Sequence, residues 1–231
     1  MKRALPVRCA AEVAGTALLV GIGTASIVLG AKTGGVAPWV LAVAWFAAVT
    51  LPVFAFVSIS GSHLNPVVTV ALATSGRIAW AEAPAYIVSQ FAGAFLGSAA
   101  VLSGLGNYAS LGATVPQNGE VVGAFVGEFA FSALLVAVVF HLADRGEGPG
   151  SWRLFLPGIV VGLSTFFIGP VSGSSLNPAR TVAPAVLSGV YTDIWVYLIA
   201  IPIAAIAVAL AWKPRSADVL DRGPGRANDL S

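Results

Sequence analysis

Hydrophobic residues form six long stretches along the chain, separated by short polar or glycine-rich segments. A transmembrane helix needs about 20 consecutive, mostly apolar residues, with a range of roughly 17–25, to cross a bilayer. Each stretch is long enough, so the pattern predicts six membrane-spanning helices. The predicted spans are residues 12–29, 39–58, 84–103, 121–142, 154–172 and 194–212.

Two segments repeat almost the same twelve residues, 112 positions apart. Residues 60–71 read SGSHLNPVVTVA and residues 172–183 read SGSSLNPARTVA, so nine of the twelve positions are identical. The first and fourth spans also match around Glu12 and Glu128. Each half therefore holds three spans and one Asn-Pro segment, and the odd number of crossings inverts the second half. Inverted repeats of this kind place their binding site near the membrane midplane.

The Asn-Pro segments predict two short helices that enter the membrane without crossing it. Asparagine is a preferred N-cap and proline a preferred first helical residue. The two candidate starts are Asn65-Pro66 and Asn177-Pro178. The apolar run 66–74 would be about 14 Å long, half of a hydrocarbon core of about 30 Å. Irregular backbone before such a helix is tolerated in a membrane only where it lines a cavity, so the sequence predicts a pore.

The predicted fold class is an all-α membrane protein with six transmembrane helices and two re-entrant half-helices in two inverted repeats. We expect a single channel domain over residues 1–231. Its parts would be a cytoplasmic N-terminus (1–10), a first repeat (11–103), an outer loop (104–120), a second repeat (121–212) and a cytoplasmic tail (213–231). The tail is polar and rich in glycine, proline and charge, a composition typical of disorder.

Composition agrees with a protein whose solvent is the lipid bilayer. The chain is 57% hydrophobic and 10% charged, whereas soluble domains average about 25% charged residues. A net charge of +2 is too small to indicate a nucleic-acid partner. A single cysteine, Cys9, excludes an internal disulfide and a metal site built from cysteines.

The basic residues predict the orientation. If both termini are cytoplasmic, ten of the twelve lysines and arginines lie in inner segments, as the positive-inside rule requires. The ten are Lys2, Arg3, Arg8, Arg77, Arg145, Arg153, Lys213, Arg215, Arg222 and Arg226. We therefore expect a multi-pass protein of a cell membrane, either a plasma membrane or a bacterial inner membrane.

The paired Asn-Pro segments resemble the signature loops of the aquaporin, or major intrinsic protein, family. With Glu12, Glu128, Gln90 and the spacing of the spans, the resemblance covers residues from about 10 to 212. It implies a right-handed helical bundle, a passive channel, a homotetramer and no cofactor. The second motif reads Asn177-Pro178-Ala179, but the first reads Asn65-Pro66-Val67 instead of the usual Asn-Pro-Ala. The bulkier Val67 predicts altered packing between the half-helices with the pore retained.

The narrowest point of the predicted pore lies near its outer mouth. At 1.5 Å per residue, Trp45 and Thr165 each lie about 9–10 Å below the outer edge of their spans. An arginine inside a membrane is costly and marks a functional site, and Arg180 follows the second Asn-Pro motif. By resemblance to the family, the aromatic/arginine selectivity filter consists of Trp45, Thr165, Ser174 and Arg180.

The filter residues bear on the solute. Strict water channels of the family carry Phe and His where this chain has Trp45 and Thr165, so the constriction here should be wider. The combination resembles the nodulin-like group, and Trp45 alone resembles the aquaglyceroporins. Such channels pass glycerol, urea or neutral metalloid hydroxides such as arsenous acid alongside water. Glycerol facilitators differ in carrying an aromatic residue at Ser174 and Asp at Thr181.

The buried carboxylates leave a second interpretation open. Glu12 and Glu128 could relay protons in a proton-coupled secondary transporter, but their symmetric placement favours bracing of the backbone before each half-helix. We predict a bracing role for His63 as well. A strict water channel and a structural junction protein of the same fold are two further hypotheses. The sequence has no catalytic triad, phosphate-binding loop or metal-ligand cluster, so it predicts neither an enzyme nor a metal site.

Overall fold

The structure is a computed structural model that describes residues 3–212, and these residues form helices, turns and loops without β-strands. The tail predicted to be disordered, 213–231, lies outside the described residues, as does Lys2. The helices are α1 (Leu5–Lys32), α2 (Pro38–Ser60), α3 (Pro66–Thr74), α4 (Ala83–Leu105), α5 (Val121–Asp144), α6 (Leu156–Phe167), α7 (Gly169–Ser172), α8 (Pro178–Ser188) and α9 (Trp195–Ala211).

Four of these helices, α1, α2, α4 and α5, are long and apolar enough to cross a membrane. The sixth predicted span is α9, whose 17 residues lie at the short end of the spanning range. The fifth predicted span, 154–172, is helical but is not one continuous helix. This span consists of a 3-10 turn (Trp152–Phe155), α6 and α7, with a break at Ile168. Pro170 has no amide hydrogen to donate across the break, and Gly169 is a poor helix former.

Both half-helices begin at the predicted proline, and α3 also ends where the apolar run ends. The backbone before them repeats as the sequence does, because the same three positions have a positive φ in each half. They are Gly61 (87°), Ser62 (49°) and Leu64 (53°) in the first half, and Gly173 (75°), Ser174 (49°) and Leu176 (57°) in the second. The 112-residue repeat is therefore also a repeat of backbone conformation.

The two repeats are interlocked. Within the first repeat α1 packs against α2 and α4, and across the repeats α2 packs against α6. Each half-helix packs against the last long helix of the other repeat: α3 against α9, and α8 against α4. This exchange brings the N-termini of both half-helices to the centre of the bundle.

Glycines allow the long helices to approach closely. A Cβ atom on Gly93 or Gly97 of α4 would collide with the backbone of α1, at Val13 and Ala17 respectively. A Cβ on Gly162 of α6 would lie 3.0 Å from the backbone oxygen of Ala42 in α2. Small residues at helix contacts are typical of membrane bundles, where close backbone approach drives association.

Large apolar side chains cover the outside of the bundle. Each of the long helices and α6 carries a leucine that is at least 45% exposed. These are Leu18, Leu51, Leu96, Leu134, Leu163 and Leu210. Exposed apolar surface on this scale marks contact with a membrane or a partner. In a multi-pass membrane protein it faces lipid.

Candidate functional site

The two half-helices meet through their capping asparagines. The side-chain oxygen of Asn65 accepts a hydrogen bond from the backbone N–H of Val67 (3.1 Å), and that of Asn177 accepts one from Ala179 (3.0 Å). The cap is therefore intact at Val67. Asn177 also accepts from the backbone N–H of Arg180 (3.4 Å). Each helix directs the positive end of its dipole to the centre of the protein.

Each asparagine amide also binds the opposite repeat. Asn65 Nδ2 donates to the carbonyl oxygen of Leu176, and Asn177 Nδ2 donates to that of Leu64, both at 2.8 Å. An asparagine amide has two N–H groups. One is used to join the repeats, so each asparagine has one N–H left for a molecule at the centre.

Glu12 is fully buried and accepts four hydrogen bonds. Its Oε1 accepts from Ser60 Oγ (2.6 Å) and the backbone N–H of His63 (3.0 Å). Its Oε2 accepts from the backbone N–H of Leu64 (2.7 Å) and Gln90 Nε2 (2.8 Å). The carboxylate thus binds two backbone donors of the left-handed segment before α3.

Glu128 makes the equivalent contacts in the second repeat and is also fully buried. Its Oε1 accepts from Ser172 Oγ and the backbone N–H of Ser175, both at 2.8 Å. Its Oε2 accepts from the backbone N–H of Leu176 (2.9 Å). Both carboxylates therefore hold the segment that turns into a half-helix.

His63 and Ser175 occupy equivalent positions, and each contacts the threonine six residues later. His63 Nδ1 lies 3.1 Å from Thr69 Oγ1, and Ser175 Oγ lies 2.5 Å from Thr181 Oγ1. The His63 ring also packs on the Tyr86 ring, with centroids 4.8 Å apart. The His63 ring therefore contacts α3 and α4, while its backbone N–H binds Glu12 of α1.

A cavity of about 640 Å³ runs from the end of the bundle where α1 begins to the ring of Trp45. Asn65, Asn177 and His63 line it, so it passes the point where the half-helices meet. Among the described residues, Trp45 marks the end of the cavity that lies farthest from the start of α1.

Charged residues of both signs line the cavity. Arg77 and Glu147 line it, and they pair with Asp144 (2.6 Å) and Arg153 (2.7 Å) respectively. Hydrogen bonds from Ser151 and then Arg153 lower the pKa of Glu147. Glu147 is therefore ionised at neutral pH. Arg3 and Arg8 also line the cavity.

Beyond the end of the cavity, Trp45 contacts Arg180. The guanidinium carbon lies 4.5 Å from the centroid of the indole ring. Arg180 is fully buried, and its Nη1 donates to the carbonyl oxygen of Gly112 (2.7 Å). Its Nε and Nη2 have no hydrogen-bond partner among residues 3–212. Two buried cationic donors are thus available to an oxygen atom that passes.

The other two predicted filter residues are connected through α6. Ser174 Oγ lies 2.7 Å from Ser164 Oγ, and Ser164 is the neighbour of Thr165. Thr165 Oγ1 donates to the carbonyl oxygen of Val161 (2.9 Å), one turn earlier in the same helix. The structure therefore places Trp45 against Arg180, and Ser174 against the turn that carries Thr165.

Sequence comparison decides the family. A family model described as "Major intrinsic protein" matches residues 3–212. The chain belongs to the major intrinsic protein family. The family resemblance in the paired Asn-Pro segments is thereby confirmed.

The chain is also similar to individual members of the family in plants. It is 38% identical to "Aquaporin NIP1-1" of Zea mays over 205 residues, which cover 88% of this chain and 72% of that protein. It is 36% identical to "Nodulin-26" of Glycine max over 205 residues, or 88% of this chain and 75% of that one. The predicted resemblance to the nodulin-like group agrees with both.

A solved structure supports the fold. The X-ray structure of the aquaglyceroporin from Plasmodium falciparum superposes with a TM-score of 0.78, covering 95% of this chain and 100% of that one. The sequence identity is 22%. At that identity the likeness concerns the fold alone, and the predicted all-helical fold with inverted repeats is confirmed.

Sequence reasoning missed the structural role of two tyrosines. Tyr86 OH donates to the carbonyl oxygen of Ser60 (2.8 Å), and Tyr197 OH donates to that of Ser172 (2.5 Å). Each hydroxyl thus donates to a carbonyl oxygen in the last turn of the helix that precedes a re-entrant segment. Their separation of 111 residues, one less than the repeat, was the signal that could have found them.

The loop between α4 and α5 was also missed as part of the site. Four consecutive residues, 109–112, have φ between 45° and 67°. Left-handed backbone costs a non-glycine residue about 1–2 kcal/mol, and the fully buried Leu111, packed with Val28 and Val101, holds the turn in place. The turn directs the carbonyl oxygen of Gly112 to Arg180. A backbone carbonyl has no side-chain signature, so sequence could not find this contact.

Proposed function

We propose that this protein is a passive transmembrane channel for water and small uncharged solutes. The observation that carries the proposal is the cavity that passes both half-helix N-termini and ends at Trp45, which contacts Arg180. Membership of the family and similarity to aquaporins support it. The test is stopped-flow measurement on proteoliposomes under water, glycerol, urea and arsenous acid gradients in turn. Permeability equal to that of protein-free liposomes for all four would refute the proposal.

The same geometry supports exclusion of ions. Two helix N-termini carry positive partial charge to the centre, and Arg180 adds a full charge near the outer mouth. Half-helix dipoles and an arginine form the known barrier to protons and cations in aquaporin-type pores. We expect the same barrier here because the chain belongs to that family. A neutral solute can bind the free N–H groups of both asparagines and of Arg180 in succession.

We assign the selectivity filter to Trp45, Thr165, Ser174 and Arg180. The contacts of Trp45 with Arg180 and of Ser174 with Ser164 support this assignment. Two of the four residues are small, so the opening should admit glycerol, urea or a neutral metalloid hydroxide. A strict water channel is the competing hypothesis, and the proteoliposome experiment separates the two.

Thr165→His is expected to slow glycerol far more than water, because it restores the bulky ring that strict water channels carry at this position. Steric changes in tight protein sites are worth about 1–3 kcal/mol of discrimination, so glycerol permeability should fall about tenfold or more. Water permeability should change little. Both are measured on the same proteoliposomes by stopped-flow light scattering. Thr165→Val, which keeps the size, is the control, and an unchanged glycerol-to-water ratio in Thr165→His would remove Thr165 from the filter.

We propose that Glu12, Glu128 and His63 brace the re-entrant segments and do not carry protons. The hydrogen bonds from backbone donors of both segments to the two carboxylates support this. A coupled transporter would instead need at least one carboxylate to change its protonation in each cycle.

Solute flux is therefore expected to be independent of a proton gradient. The measurement is glycerol uptake into proteoliposomes at equal pH, with an inside-acidic gradient, and after collapse of that gradient by an ionophore. Equal rates are expected, because a channel couples no second ion. Accumulation of glycerol above its external concentration would support the proton-coupled transporter.

The proposed function includes the orientation of the chain in the membrane and its oligomeric state. We propose that both termini are cytoplasmic, because ten of the twelve lysines and arginines then lie in inner segments. We also propose a homotetramer in a plasma or bacterial inner membrane, as the family implies, and no enzymatic activity. Residues 3–212 hold no group of three His, Cys, Asp or Glu side chains placed to bind a metal.

A further inference from the structure

Gly23 of α1 lies against the ring of Trp45. A Cβ atom at Gly23 would be 2.5 Å from Cη2 and 2.6 Å from both Cζ2 and Cζ3 of the indole. An approach to the ring edge would leave the two outer carbons clearly farther away than the middle one. The nearly equal distances therefore mean that α1 touches the face of the six-membered ring.

The contact is too close for any residue except glycine. Real Cβ atoms essentially never lie within 3.0 Å of another heavy atom. The indole ring is rigid and has no flexible end that could rotate away from an added methyl group. The whole ring would have to move. Trp45 is 3% exposed and packed in a buried cluster that includes Leu19 and Val49, which limits where it can go.

Trp45 also borders the pathway. The ring of Trp45 lines the cavity on one side, and the guanidinium of Arg180 lies 4.5 Å from its centroid. Gly23 itself is buried and does not line the cavity. It can therefore influence permeation only through the ring that it supports.

We propose that Gly23 is a positioning residue that sets how far Trp45 is withdrawn from the constriction, and so sets the largest solute that passes. This inference rests on the proposed function, because it assumes that Trp45 lines the filter. The absence of a side chain at Gly23 gives the wide ring of tryptophan a recess in α1. A larger residue there would push the ring toward Arg180 and narrow the opening.

The chain offers a matched control on the same helix. Gly21 lies two residues earlier in α1, and a Cβ there would be 3.6 Å from the nearest atom, the Cα of Gly97, which is ordinary contact. Gly21→Ala therefore introduces the same methyl group without a collision. The two variants change helix propensity equally and differ only in the neighbour that they meet.

The experiment compares Gly23→Ala, Gly21→Ala, Trp45→Phe and the double variant Gly23→Ala/Trp45→Phe in proteoliposomes, by water and glycerol permeability. Gly23→Ala should lower glycerol permeability about tenfold, which is the lower end of the discrimination that one methylene produces in a tight site. Water permeability should fall much less, and Gly21→Ala should alter neither. Phenylalanine is shorter and leaves the recess empty, so Gly23→Ala should have little effect when Trp45 is Phe.

The single and double variants separate the possible failures. If Trp45→Phe leaves the glycerol-to-water ratio unchanged, the filter assignment fails. If Trp45→Phe changes the ratio but Gly23→Ala acts equally in both backgrounds, the positioning role of Gly23 is refuted. Should Gly23→Ala fail to fold, Trp45→Phe is expected to restore folding, and a double variant that also fails to fold would overturn the inference.

Discussion

Glu128→Leu is expected to abolish recovery of folded protein. The substitution leaves the backbone N–H groups of Ser175 and Leu176 and the hydroxyl of Ser172 without their acceptor in a fully buried site. Each such loss costs about 1–3 kcal/mol. The sum is comparable to the whole net stability of a typical protein, about 5–15 kcal/mol. The measurement is the monodisperse yield on size-exclusion chromatography in detergent, with thermal unfolding of any protein recovered.

Glutamine at the two carboxylate positions should give graded effects. Glu128→Gln keeps the oxygen that accepts two of the three hydrogen bonds and loses one. Glu12→Gln loses two of four, because each Glu12 oxygen accepts two. Glu128→Gln should therefore fold better than Glu12→Gln and conduct. The exposed Glu120, at the start of the same helix, is the control, since Glu120→Leu should change yield little. A Glu128→Gln protein that folds fully but passes no solute would contradict the bracing role.

The sequence was sufficient to predict the parts of the fold that depend on local chemistry and on the repeat. Asn65-Pro66 combines the preferred cap with the preferred first residue of a helix, and α3 begins there and ends at Thr74. The repeat predicted a second half-helix, and α8 begins at Pro178. Six apolar stretches predicted six spans because length and hydrophobicity alone decide which segments cross a bilayer.

The contacts between distant elements could not be predicted in the same way. The carbonyl oxygen of Gly112 and the recess at Gly23 are properties of the backbone, and any glycine would look alike in the sequence. The dipeptide Gly169-Pro170 indicates the break at Ile168. A prediction from hydrophobicity does not detect it, because the apolar run continues through these residues. The filter residues were assigned by resemblance and depth, and their role in selecting the solute stays a prediction.

Arg180→Val is expected to raise the permeability to protons and cations. Valine is the residue at the equivalent position of the first repeat, Val68, so the substitution makes the two half-helices alike there. Removing a charge about 4 Å from a passing cation lowers its barrier by about 4 kcal/mol at an effective dielectric constant near 20. A change of that size corresponds to roughly a thousandfold in rate. The half-helix N-termini at the centre remain, so the leak should still be far below that of an ion channel.

The test for Arg180 combines proton flux and neutral solute flux. Proton entry is followed with a pH-sensitive dye trapped in proteoliposomes, and glycerol permeability is measured on the same preparation. Arg180→Lys is the control, because it keeps the charge but loses the planar group that both contacts the Trp45 ring and donates to Gly112. Arg180→Lys should still exclude protons, but its glycerol permeability should change. Arg180→Val should leak protons and keep or increase its glycerol flux. If Arg180→Val folds and excludes protons as well as the parent protein does, Arg180 is not the barrier, and the positive ends of the two asparagine-capped helices at the centre become the next groups to test.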